Sequence, residues 1–517
     1  MLLHRLASTS GAVGAEPARN AKIALLAQCL RELGPDESPS AVALLSGESR
    51  RLRVGVGPAA LRELPAPAGL PTLGVRETEE TLARIAAVHG PGAQAERRLL
   101  LDGLFARATE EEQHFLSAVL VGELRQGALD ALIGDAVAKA AEVPATAVRR
   151  ALMFRGSARA VAAAALTGGA PALRAFGLEV GRPVRPMLAA SAPDVATALE
   201  RVSPAALEWK LDGIRVQVHR DGSDIAVFTR SLDDITARVP ELVEAVAALP
   251  VRSAVLDGEA LALGPDGRPR PFQVTAARTA SRQDPLRLRE EVPLQAFFFD
   301  LLHRDGEDLL DLPGEQRWEA LEQTLPPALR VPRTVTADSG LAHAFFRDAL
   351  AQGHEGVVVK DPAAPYAAGR RGAGWIKVKP RHTLDLVVLA AEWGHGRRRG
   401  RLSNLHLAAR GDGSAELGEW VMLGKTFKGL TDELLAWQTA ALLEREVGRT
   451  SSVVRVRPEL VVEVAFDGLQ RSPRYPAGLA LRFARVLRYR DDKTAAEADT
   501  VATVRELAAE GLWAGQE

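Results

Sequence analysis

The sequence predicts a multidomain α+β protein, and three stretches with different periodicity carry this prediction. In residues 1–182 apolar side chains recur three and four positions apart, which is typical of an all-α domain. In residues 183–381 they mostly alternate, as in antiparallel sheets, and residues 382–517 hold short strands around one helix. A chain of 517 residues is too long for one hydrophobic core, so we expect these stretches to be separate domains.

The composition predicts a cytoplasmic protein with no membrane segment. Hydrophobic residues make up 47% of the chain and charged residues 25%, which is ordinary for a globular protein. The single cysteine, Cys29, excludes an intramolecular disulfide and a cysteine-rich zinc site, and it fits a reducing compartment. The first residues lack the apolar core of a signal peptide, and the Ala-rich run at 161–170 is too short to span a bilayer.

Charge is balanced overall but uneven along the chain. The net charge is −1, which gives no sign of nucleic-acid binding. Residues 368–401 nevertheless hold nine Lys or Arg against two acids, and a local basic surface can bind phosphate groups on a nearly neutral protein. The arginine-rich loop at 394–401 is suited to contact a phosphate backbone, although a solvated loop explains it equally well.

The helical stretch, residues 1–182, holds no motif for chemistry, so we expect a scaffold or binding domain. Arg149, Arg150 and Arg155 could contact phosphate, but exposed arginines more often contact water. Two prolines three positions apart in residues 181–186 would stop the helices and extend the chain. This segment is therefore the predicted linker to the second domain.

The second domain begins with the strongest chemical signal, residues 208–215 (Glu-Trp-Lys-Leu-Asp-Gly-Ile-Arg). Lys210 ends an apolar run and is followed by Asp-Gly, a dipeptide that favours a hairpin turn between strands. Such a turn would hold Lys210 and Arg215 beside one pocket. The amine could then attack, next to a cation that could hold a phosphate or depress the pKa of the amine. Taken alone, the motif is explained better by a surface lysine beside a turn.

The rest of this domain is predicted to be mostly strands, several with charged residues beside apolar runs. A second Asp-Gly dipeptide, residues 221–222, predicts a hairpin with Arg230 after its second strand. Glu259 within the apolar residues 254–263 is costly unless it is paired or binds a metal. The other elements are a helix at 239–249 and strands at 216–219, 225–229, 294–302, 355–360 and 374–379, the last with Lys377 and Lys379 on one face.

Together these residues fit nucleotidyl transfer. Glu259 and Glu355 would hold a hard, oxygen-seeking cation such as Mg²⁺, while arginines and lysines would neutralise triphosphate charge. Lys210 must lose its proton to attack, so we expect neighbouring cations to lower its pKa below the usual value of about 10.4. The sequence lacks the P-loop pattern, which disfavours an ATPase of that type.

Residues 382–517 predict a small barrel of the oligonucleotide-binding (OB-fold) kind, because short strands surround a single helix. Arg482, Arg485 and Arg488 recur every third residue around the last strand. The strands are expected at 386–391, 405–409, 420–423, 460–466 and 481–487, and the helix at 432–446.

At these residues the chain resembles the ATP-dependent DNA ligases of the covalent nucleotidyltransferase superfamily, in the bacterial type with an N-terminal helical domain. Any one motif occurs by chance, but six in the family's order do not. The motifs are residues 210–215, 256–259, 298–300, 355–360, 375–379, and 482–488 with Asp492 and Lys493. The helical stretch is similar in size and character to the family's DNA-binding domain, with a looser sequence match.

The resemblance implies an enzyme that uses ATP and Mg²⁺ to seal nicks in double-stranded DNA, in replication, repair and recombination. It implies that Lys210 takes AMP from ATP and passes it to the 5′-phosphate of the nick, after which the 3′-hydroxyl displaces AMP. The domains would be a helical DNA-binding domain (1–182), an adenylation domain (183–381) and an OB-fold domain (382–517). We expect a monomer with no membrane partner, and a sliding clamp stays open as a partner.

The resemblance also implies roles for the other site residues. Glu208 would contact adenine, Phe299 would stack on the base, and Arg215 and Glu259 would hold the ribose. Arg230 would lie near the phosphates or the nick, Arg371 and Lys377 would contact phosphate, and the arginines of residues 482–488 would orient pyrophosphate. Glu259 and Glu355 would bind metal. Glu208 could instead be a solvated acid at a strand end, and Glu259 and Glu355 could be structural ion pairs. Two other assignments also leave alternatives open. Phe299 is one of three adjacent phenylalanines, and Arg370 is hard to separate from Arg371.

Three other functions compete with this interpretation. RNA ligases and GTP-using mRNA capping enzymes resemble the chain at the same motifs, but they normally begin near their nucleophile, without a large helical domain. A non-catalytic nucleic-acid scaffold would not need Lys210, Glu259, Glu355 and Lys377 together. An NAD⁺-dependent ligase carries a cysteine-rich zinc module that one cysteine cannot build.

Overall fold

A computed structural model of the chain has helices in its first third and mainly strands in the rest. It describes residues 1–34, 36–48, 58–122, 124, 129–281, 283–367, 371–380, 382–395, 398–411, 413 and 417–509, without the side chains of residues 58, 59, 129, 130 and 371–373. In these ranges helices and antiparallel sheets combine, so the α+β prediction is confirmed.

The first region is helical, as predicted. Its helices bury one shared core that includes Leu6, Leu45, Phe105 and Val137. The helices are α1 (Leu3–Ala15), α2 (Arg19–Arg31), α3 (Ser38–Ser46), α4 (Val75–Ala87), α5 (Ala93–Ala106), α6 (Glu110–Val121), α7 (Leu129–Ala140), α8 (Ala145–Arg155) and α9 (Ala158–Arg174). Among the described residues of the whole chain, no helix is long and apolar enough to cross a membrane.

The middle region contains two five-stranded sheets. Its strands are β1 (Leu188–Ser191), β2 (Ala205–Trp209), β3 (Ile214–Asp221), β4 (Asp224–Thr229), β5 (Ser253–Ala262), β6 (Leu294–Arg304), β7 (Glu307–Asp308), β8 (Arg333–Thr336), β9 (Val357–Lys360) and β10 (Arg371–Val378). Its helices are α10 (Val195–Arg201), α11 (Pro240–Ala247), α12 (Phe272–Ala280), α13 (Pro285–Glu291), α14 (Gly314–Thr324) and α15 (Ser339–Ala351). The sheet orders are β1–β10–β9–β2–β8 and β4–β3–β5–β6–β7, antiparallel except where β1 meets β10.

The Asp212-Gly213 dipeptide does not form the predicted hairpin. β2 and β3, on either side of it, belong to different sheets, so this segment carries the chain from one sheet to the other. A Cβ on Gly213 would overlap the carbonyl oxygen of Ala260 and lie 2.6 Å from Leu261 Cδ2. The prediction is wrong because this glycine serves a close approach between two backbones rather than a turn between paired strands.

The second Asp-Gly dipeptide does turn a hairpin. Asp221 and Asp224 are partners at the end of the β3–β4 ladder, and Gly222 has a φ of 60°. Glycine adopts this left-handed conformation without the clash that a Cβ would cause. The hairpin predicted for residues 221–222 is therefore confirmed.

The C-terminal region is mainly antiparallel β-structure. Its elements are β11 (His382–Trp393), β12 (Leu402–Arg410), β13 (Trp420–Thr426), α16 (Asp432–Glu444), β14 (Glu446–Arg449), β15 (Val453–Val456), β16 (Val461–Phe466), β17 (Gly468–Arg471), β18 (Leu479–Arg482), β19 (Arg485–Tyr489) and α17 (Val501–Ala509). The main sheet runs β13–β12–β11–β15–β14, with β16 between β11 and β19. Pairings among the described strands do not close this sheet into a barrel.

Three details of the C-terminal prediction differ from the structure. A second helix, α17, follows the strands, whereas the sequence predicts a single helix. The strand expected at 481–487 is divided into β18 and β19, because Phe483 has a φ of 55° that ends the ladder. Strands β14, β15 and β17 were not predicted. Each is only four residues long, too short for a clear alternation of apolar and polar side chains.

The predicted linker is fixed to β3 by hydrogen bonds. The Gly181 N–H donates to His219 Nδ1 at 3.0 Å, and the Val184 N–H donates to Gln217 Oε1 at 2.8 Å. Because Nδ1 accepts, His219 carries its proton on Nε2 and donates to Gln217 Oε1 at 2.8 Å. Burial, with a smaller effect of His303, lowers the pKa of His219 to about 3. The linker therefore depends on a neutral histidine.

We expect acid to weaken the protein through His219. Its folded-state pKa of about 3 lies below the ordinary 6.5, so below pH 6.5 the unfolded chain binds a proton that the folded chain does not. Relative to His219→Gln, the wild-type protein should lose about 2 kcal/mol more unfolding free energy between pH 7 and pH 5. Urea unfolding at the two pH values measures this difference. Equal losses in both proteins would rule the mechanism out.

Candidate active site

A cavity of about 1060 Å³ lies among strands of both five-stranded sheets. Its walls come from β1, β2, β9 and β10 of one sheet and from β3, β4, β5 and β6 of the other. Most of the predicted site residues line it, namely Glu208, Lys210, Arg215, Arg230, Glu259, Phe299 and Lys377. The crossing at Gly213 thus brings the two halves of the predicted site together.

Lys210 follows β2 and is fixed by its backbone to the start of β9. Its N–H donates to the Gly356 carbonyl at 2.8 Å, and its carbonyl accepts from the Glu355 N–H at 3.0 Å. Lys210 Nζ donates to Glu355 Oε2, and Lys379 Nζ donates to Glu355 Oε1 at 2.5 Å. One carboxylate therefore lies between two lysines, one of which faces the cavity.

These contacts raise the pKa of Lys210. Burial lowers this pKa, but the Glu355 carboxylate, with smaller effects of Glu259 and Asp212, outweighs burial. Burial conversely tends to raise the pKa of Glu355, but the two lysines lower it overall. The expectation that cations depress the pKa of Lys210 is wrong for this arrangement. The sequence could not show that a carboxylate separates the lysines.

Arg215 is held against the cavity wall by a bidentate ion pair. Its Nε and Nη2 donate to Asp257 at 3.0 and 2.7 Å, and its Nη1 donates to the Met187 carbonyl at 2.7 Å. In the β3–β5 ladder Arg215 is opposite Glu259, so Asp257 lies two residues earlier on the same face. Burial disfavours the charge, but Asp257 raises the pKa of Arg215 and keeps it cationic. The guanidinium is thus preorganised beside Glu259.

Phe299 is the member of the phenylalanine triplet that lines the cavity. Phe298 is fully buried in the core of its sheet, and Phe297 packs against the same small cluster as Phe299 but does not line the cavity. Phe299 meets Trp375 edge to face, with ring centroids 5.8 Å apart. Lys360 Nζ lies 4.6 Å from the Phe299 centroid and 4.1 Å from that of Trp375. The wall offers an aromatic face of the kind that stacks on a heterocyclic base.

Glu208 is buried and paired twice at the cavity wall. Arg333 Nη2 lies 2.6 Å from Glu208 Oε1, and Lys360 Nζ lies 2.5 Å from Oε2. Burial lowers the pKa of Lys360, and Glu208 opposes this shift. The Glu208 carboxylate therefore borders the cavity, and Arg333 and Lys360 balance its charge.

Glu259 is the carboxylate best placed to bind a cation. It lines the cavity and makes no hydrogen bond or ion pair within the described residues. Burial raises its pKa to about 7, although Lys210 and Arg215 oppose the shift. Because burial disfavours the ionised form of this carboxylate, a nearby cation would stabilise that form. Glu355, by contrast, already has a lysine on each oxygen.

The donor set fits a magnesium ion bound mainly through a nucleotide. The described residues contain no group of three or more His, Cys, Asp or Glu side chains arranged for a metal ion. Magnesium usually takes only one or two carboxylates from the protein, together with water and substrate phosphates. Glu259, which has no partner within the described residues, matches that pattern.

The predicted phosphate contacts lie in different places. Arg230 is exposed on the rim, and Lys377 lines the cavity from β10. The backbone of Arg371 begins β10, but its side chain lies outside the described residues, as does Arg370. Arg482, at the end of β18, is close enough to Asp212 to act on its pKa, which burial and Glu355 raise overall.

The arginines outside this site are largely engaged in other contacts. Arg149, Arg150 and Arg155 form ion pairs with Asp135, Asp311 and Glu179 at 3.2, 2.6 and 3.4 Å. In the loop at 394–401, residues 396 and 397 lie outside the described residues. Arg398 in that loop donates to the Phe427 carbonyl, and Arg488 pairs with Glu463 at 2.6 Å.

Several residues of the site were given no role by the sequence analysis, although Asp257, Lys360 and Trp375 lie within the motifs that it identified. Asp257 and Trp375 had a usable signal, because each lies two positions from a predicted site residue on the same strand face. Lys360 ends a predicted strand, but nothing in its pattern indicated a buried pair with Glu208. Arg333 and Tyr366 had no signal, since both reach the site through pairings distant in sequence.

Comparison with family models assigns most of the chain. A model described as "ATP dependent DNA ligase domain" matches residues 186–379. One described as "ATP dependent DNA ligase C terminal region" matches residues 398–493, and "DNA ligase N terminus" matches residues 65–138. The three matches follow the order of the helical, middle and C-terminal regions.

Whole-chain relatives agree with these matches. A "Probable DNA ligase" of Mycobacterium marinum is 58% identical over 515 residues, covering 98% of this chain and 100% of its own. A "Probable DNA ligase" of Streptomyces griseus is 58% identical over 510 residues, covering 98% and 99%. A solved structure described as "Pmar-Lig_PreS3" is 17% identical, covers 94% of this chain and 99% of its own, and has a TM-score of 0.58, which indicates a shared fold.

Proposed function

This chain belongs to the ATP-dependent DNA ligase family, and we propose that it seals nicks in duplex DNA by carrying AMP on Lys210. The observation that carries the assignment of Lys210 is its position. Its amine borders a cavity large enough for a nucleotide, together with Arg215, Phe299 and Lys377. Lys360 and Lys377 also line this cavity, but Lys360 is paired with the buried Glu208, and Lys377 lies in the motif assigned to phosphate contact.

In the first step the neutral Lys210 Nζ attacks the α-phosphorus of ATP. A P–N bond forms, the bond to the bridging oxygen breaks, and pyrophosphate leaves. Lys377 contacts the α-phosphate from β10, and Arg215 holds the ribose together with Glu259. The proton on Nζ must leave before attack, and the raised pKa of Lys210 makes its loss part of the barrier.

In the later steps the same cavity holds AMP. An oxygen of the 5′-phosphate at the nick attacks the phosphoramidate, the P–N bond breaks, and Lys210 regains a proton. The 3′-hydroxyl then attacks that 5′-phosphorus and AMP leaves. Phe299 stacks on the adenine, Glu208 contacts its amino group, and Arg230 on the rim contacts phosphate.

The magnesium ion typical of the family would be held by Glu259 with oxygens of the substrate, where it would neutralise phosphate charge. Glu355 as a second metal ligand requires Lys210 or Lys379 to release one of its oxygens. We assign Glu355 first to holding Lys210 in place and second to the metal. Arg371 remains a proposed phosphate contact at the start of β10.

The division of labour among domains is also part of the proposal. Residues 1–182 would bind duplex DNA, residues 183–381 would carry out adenylation, and residues 382–517 would form an OB-fold barrel. The arginines of residues 482–488 would orient pyrophosphate, which the proximity of Arg482 to Asp212 supports. A cytoplasmic monomer stays a prediction from the sequence.

A labelling experiment tests the function. The protein is incubated with Mg²⁺ and ATP or GTP labelled at the α-phosphate, and then run on a denaturing gel. We expect label on the protein from ATP only, and transfer of that label to a nicked DNA duplex. Label from GTP would indicate a capping enzyme, and sealing of nicked RNA in preference to DNA would indicate an RNA ligase. Either result would contradict the proposal.

A further inference from the structure

We propose that Tyr366 is a positioning residue for nucleotide binding, because it fixes the carboxylate that holds Arg215. The inference rests on the proposed function in one respect only, namely that Arg215 binds the nucleotide. Tyr366 lies between β9 and β10, in no predicted motif, and its side chain reaches the back of the cavity wall.

The Tyr366 hydroxyl contacts three groups, so that four residues form one network. It donates to Asp257 Oδ2 at 2.7 Å and accepts from the Met187 N–H at 3.0 Å. Arg215 Nη2 lies 3.4 Å from the same oxygen, while Arg215 Nη1 donates to the Met187 carbonyl at 2.7 Å. Each member of the network thus contacts at least two of the others.

Water cannot easily replace the hydroxyl in this network. Asp257 and Tyr366 are only 1% and 2% exposed. Without the hydroxyl, Asp257 Oδ2 would lose a donor and the Met187 N–H would lose its acceptor, both in a buried site. Burial and the Asp257 carboxylate raise the pKa of Tyr366, so the hydroxyl stays a donor at neutral pH.

The ring of Tyr366 supports the aromatic part of the same wall. It packs edge to face on Trp375, with centroids 5.9 Å apart. Trp375 in turn packs edge to face on Phe299, and Arg215 lies over both Phe299 and Trp375 at 5.4 and 5.6 Å. Tyr366 therefore contacts both the Arg215–Asp257 ion pair and the aromatic surface.

The network also connects the cavity wall to the helical region. Met187 belongs to the segment that leaves the linker, where the Arg185 N–H donates to the Met153 carbonyl of α8 at 2.8 Å. The Met153 side chain shares a buried cluster with Met187, Tyr366 and Trp375. The helical region is thus seated against the outer side of the wall whose inner side faces the nucleotide.

Tyr366→Phe removes the hydroxyl and keeps the ring, so it tests the polar role alone. We expect KM for ATP in AMP loading to rise about tenfold, because a buried hydrogen bond to a charged group is lost. The rate at saturating ATP should stay within about twofold, since Lys210 and its Glu355 contact are untouched. The matched control is Tyr489→Phe, which loses a hydrogen bond of 2.8 Å to Gln438 in the C-terminal region and should leave KM unchanged.

A double-mutant cycle separates positioning from a general loss of stability. If Tyr366 acts through Asp257, adding Tyr366→Phe to Asp257→Asn should change KM less than twofold further. Multiplicative effects would overturn the inference. Arg215→Lys is the third variant. If KM for ATP rises in Arg215→Lys but stays normal in Tyr366→Phe, the role of Tyr366 is wrong while that of Arg215 stands. Normal KM in Arg215→Lys would overturn both the role of Tyr366 and the proposed function of Arg215.

Discussion

Replacing Lys210 with arginine should abolish AMP loading while the protein stays folded. Arginine keeps the positive charge and can still donate to Glu355, but its pKa above about 12 means that it is never neutral enough to attack. Loss of a nucleophile with the rest of the site intact should cost at least about 10⁴-fold in rate. Label from α-labelled ATP, followed on a denaturing gel, should therefore disappear.

The second half of the reaction provides the control for this variant. A nick that already carries a 5′-adenylate needs no amine, so Lys210→Arg should still seal it at a measurable rate. Lys139→Arg, an exposed site in α7, should load AMP like the wild-type protein. Residual label in Lys210→Arg at more than a trace would show that another group carries the nucleotide.

Local patterns in the sequence were sufficient to single out several of the charged residues that line the cavity. Glu259 and Lys377 stand out because each is a charged side chain next to apolar residues of a predicted strand. Strand alternation then fixes which face such a residue shares with its neighbours two positions away. These predictions need only the position of a strand and the alternation of its side chains, and a short stretch of sequence provides both.

The contacts behind the cavity wall could not be predicted in the same way. Lys210 meets Glu355 only because β2 pairs with β9, and Glu208 meets Arg333 only because β2 also pairs with β8. Pairing partners so far apart in sequence leave no local signal. The direction of the Lys210 pKa shift was mispredicted for this reason, because that direction depends on Glu355.

The two Asp-Gly dipeptides show how one local signal can have two structural causes. Gly222 is required by a left-handed φ within a hairpin, whereas Gly213 is required by its contact with the backbone of β5. The sequence reads the same in both places. Only the assignment of β2 and β3 to different sheets distinguishes them, and that assignment is a property of the whole domain.

Arg317→Leu should be the most destabilising single change outside the cavity. Arg317 Nε and Nη2 donate to Asp300 at 2.8 and 3.0 Å, and the two side chains are 1% and 0% exposed. Removing the arginine leaves a buried carboxylate without its partner, which typically costs about 3–5 kcal/mol of unfolding free energy. Urea unfolding measures the loss. Arg289→Leu is the matched control, because Arg289 makes the same bidentate contact with Glu244 on the surface and should change stability little.

The double variant Asp300→Leu with Arg317→Leu decides whether the cost comes from the unpaired charge. If it does, removing both partners should restore much of the stability lost in Arg317→Leu, since no buried charge remains. A double variant as unstable as Arg317→Leu would instead assign the cost to the hydrogen bonds from Arg317 to the carbonyls of Leu312 and Ala364. Asp300 directly follows Phe299 in β6, so the pair also holds the strand that presents the aromatic wall.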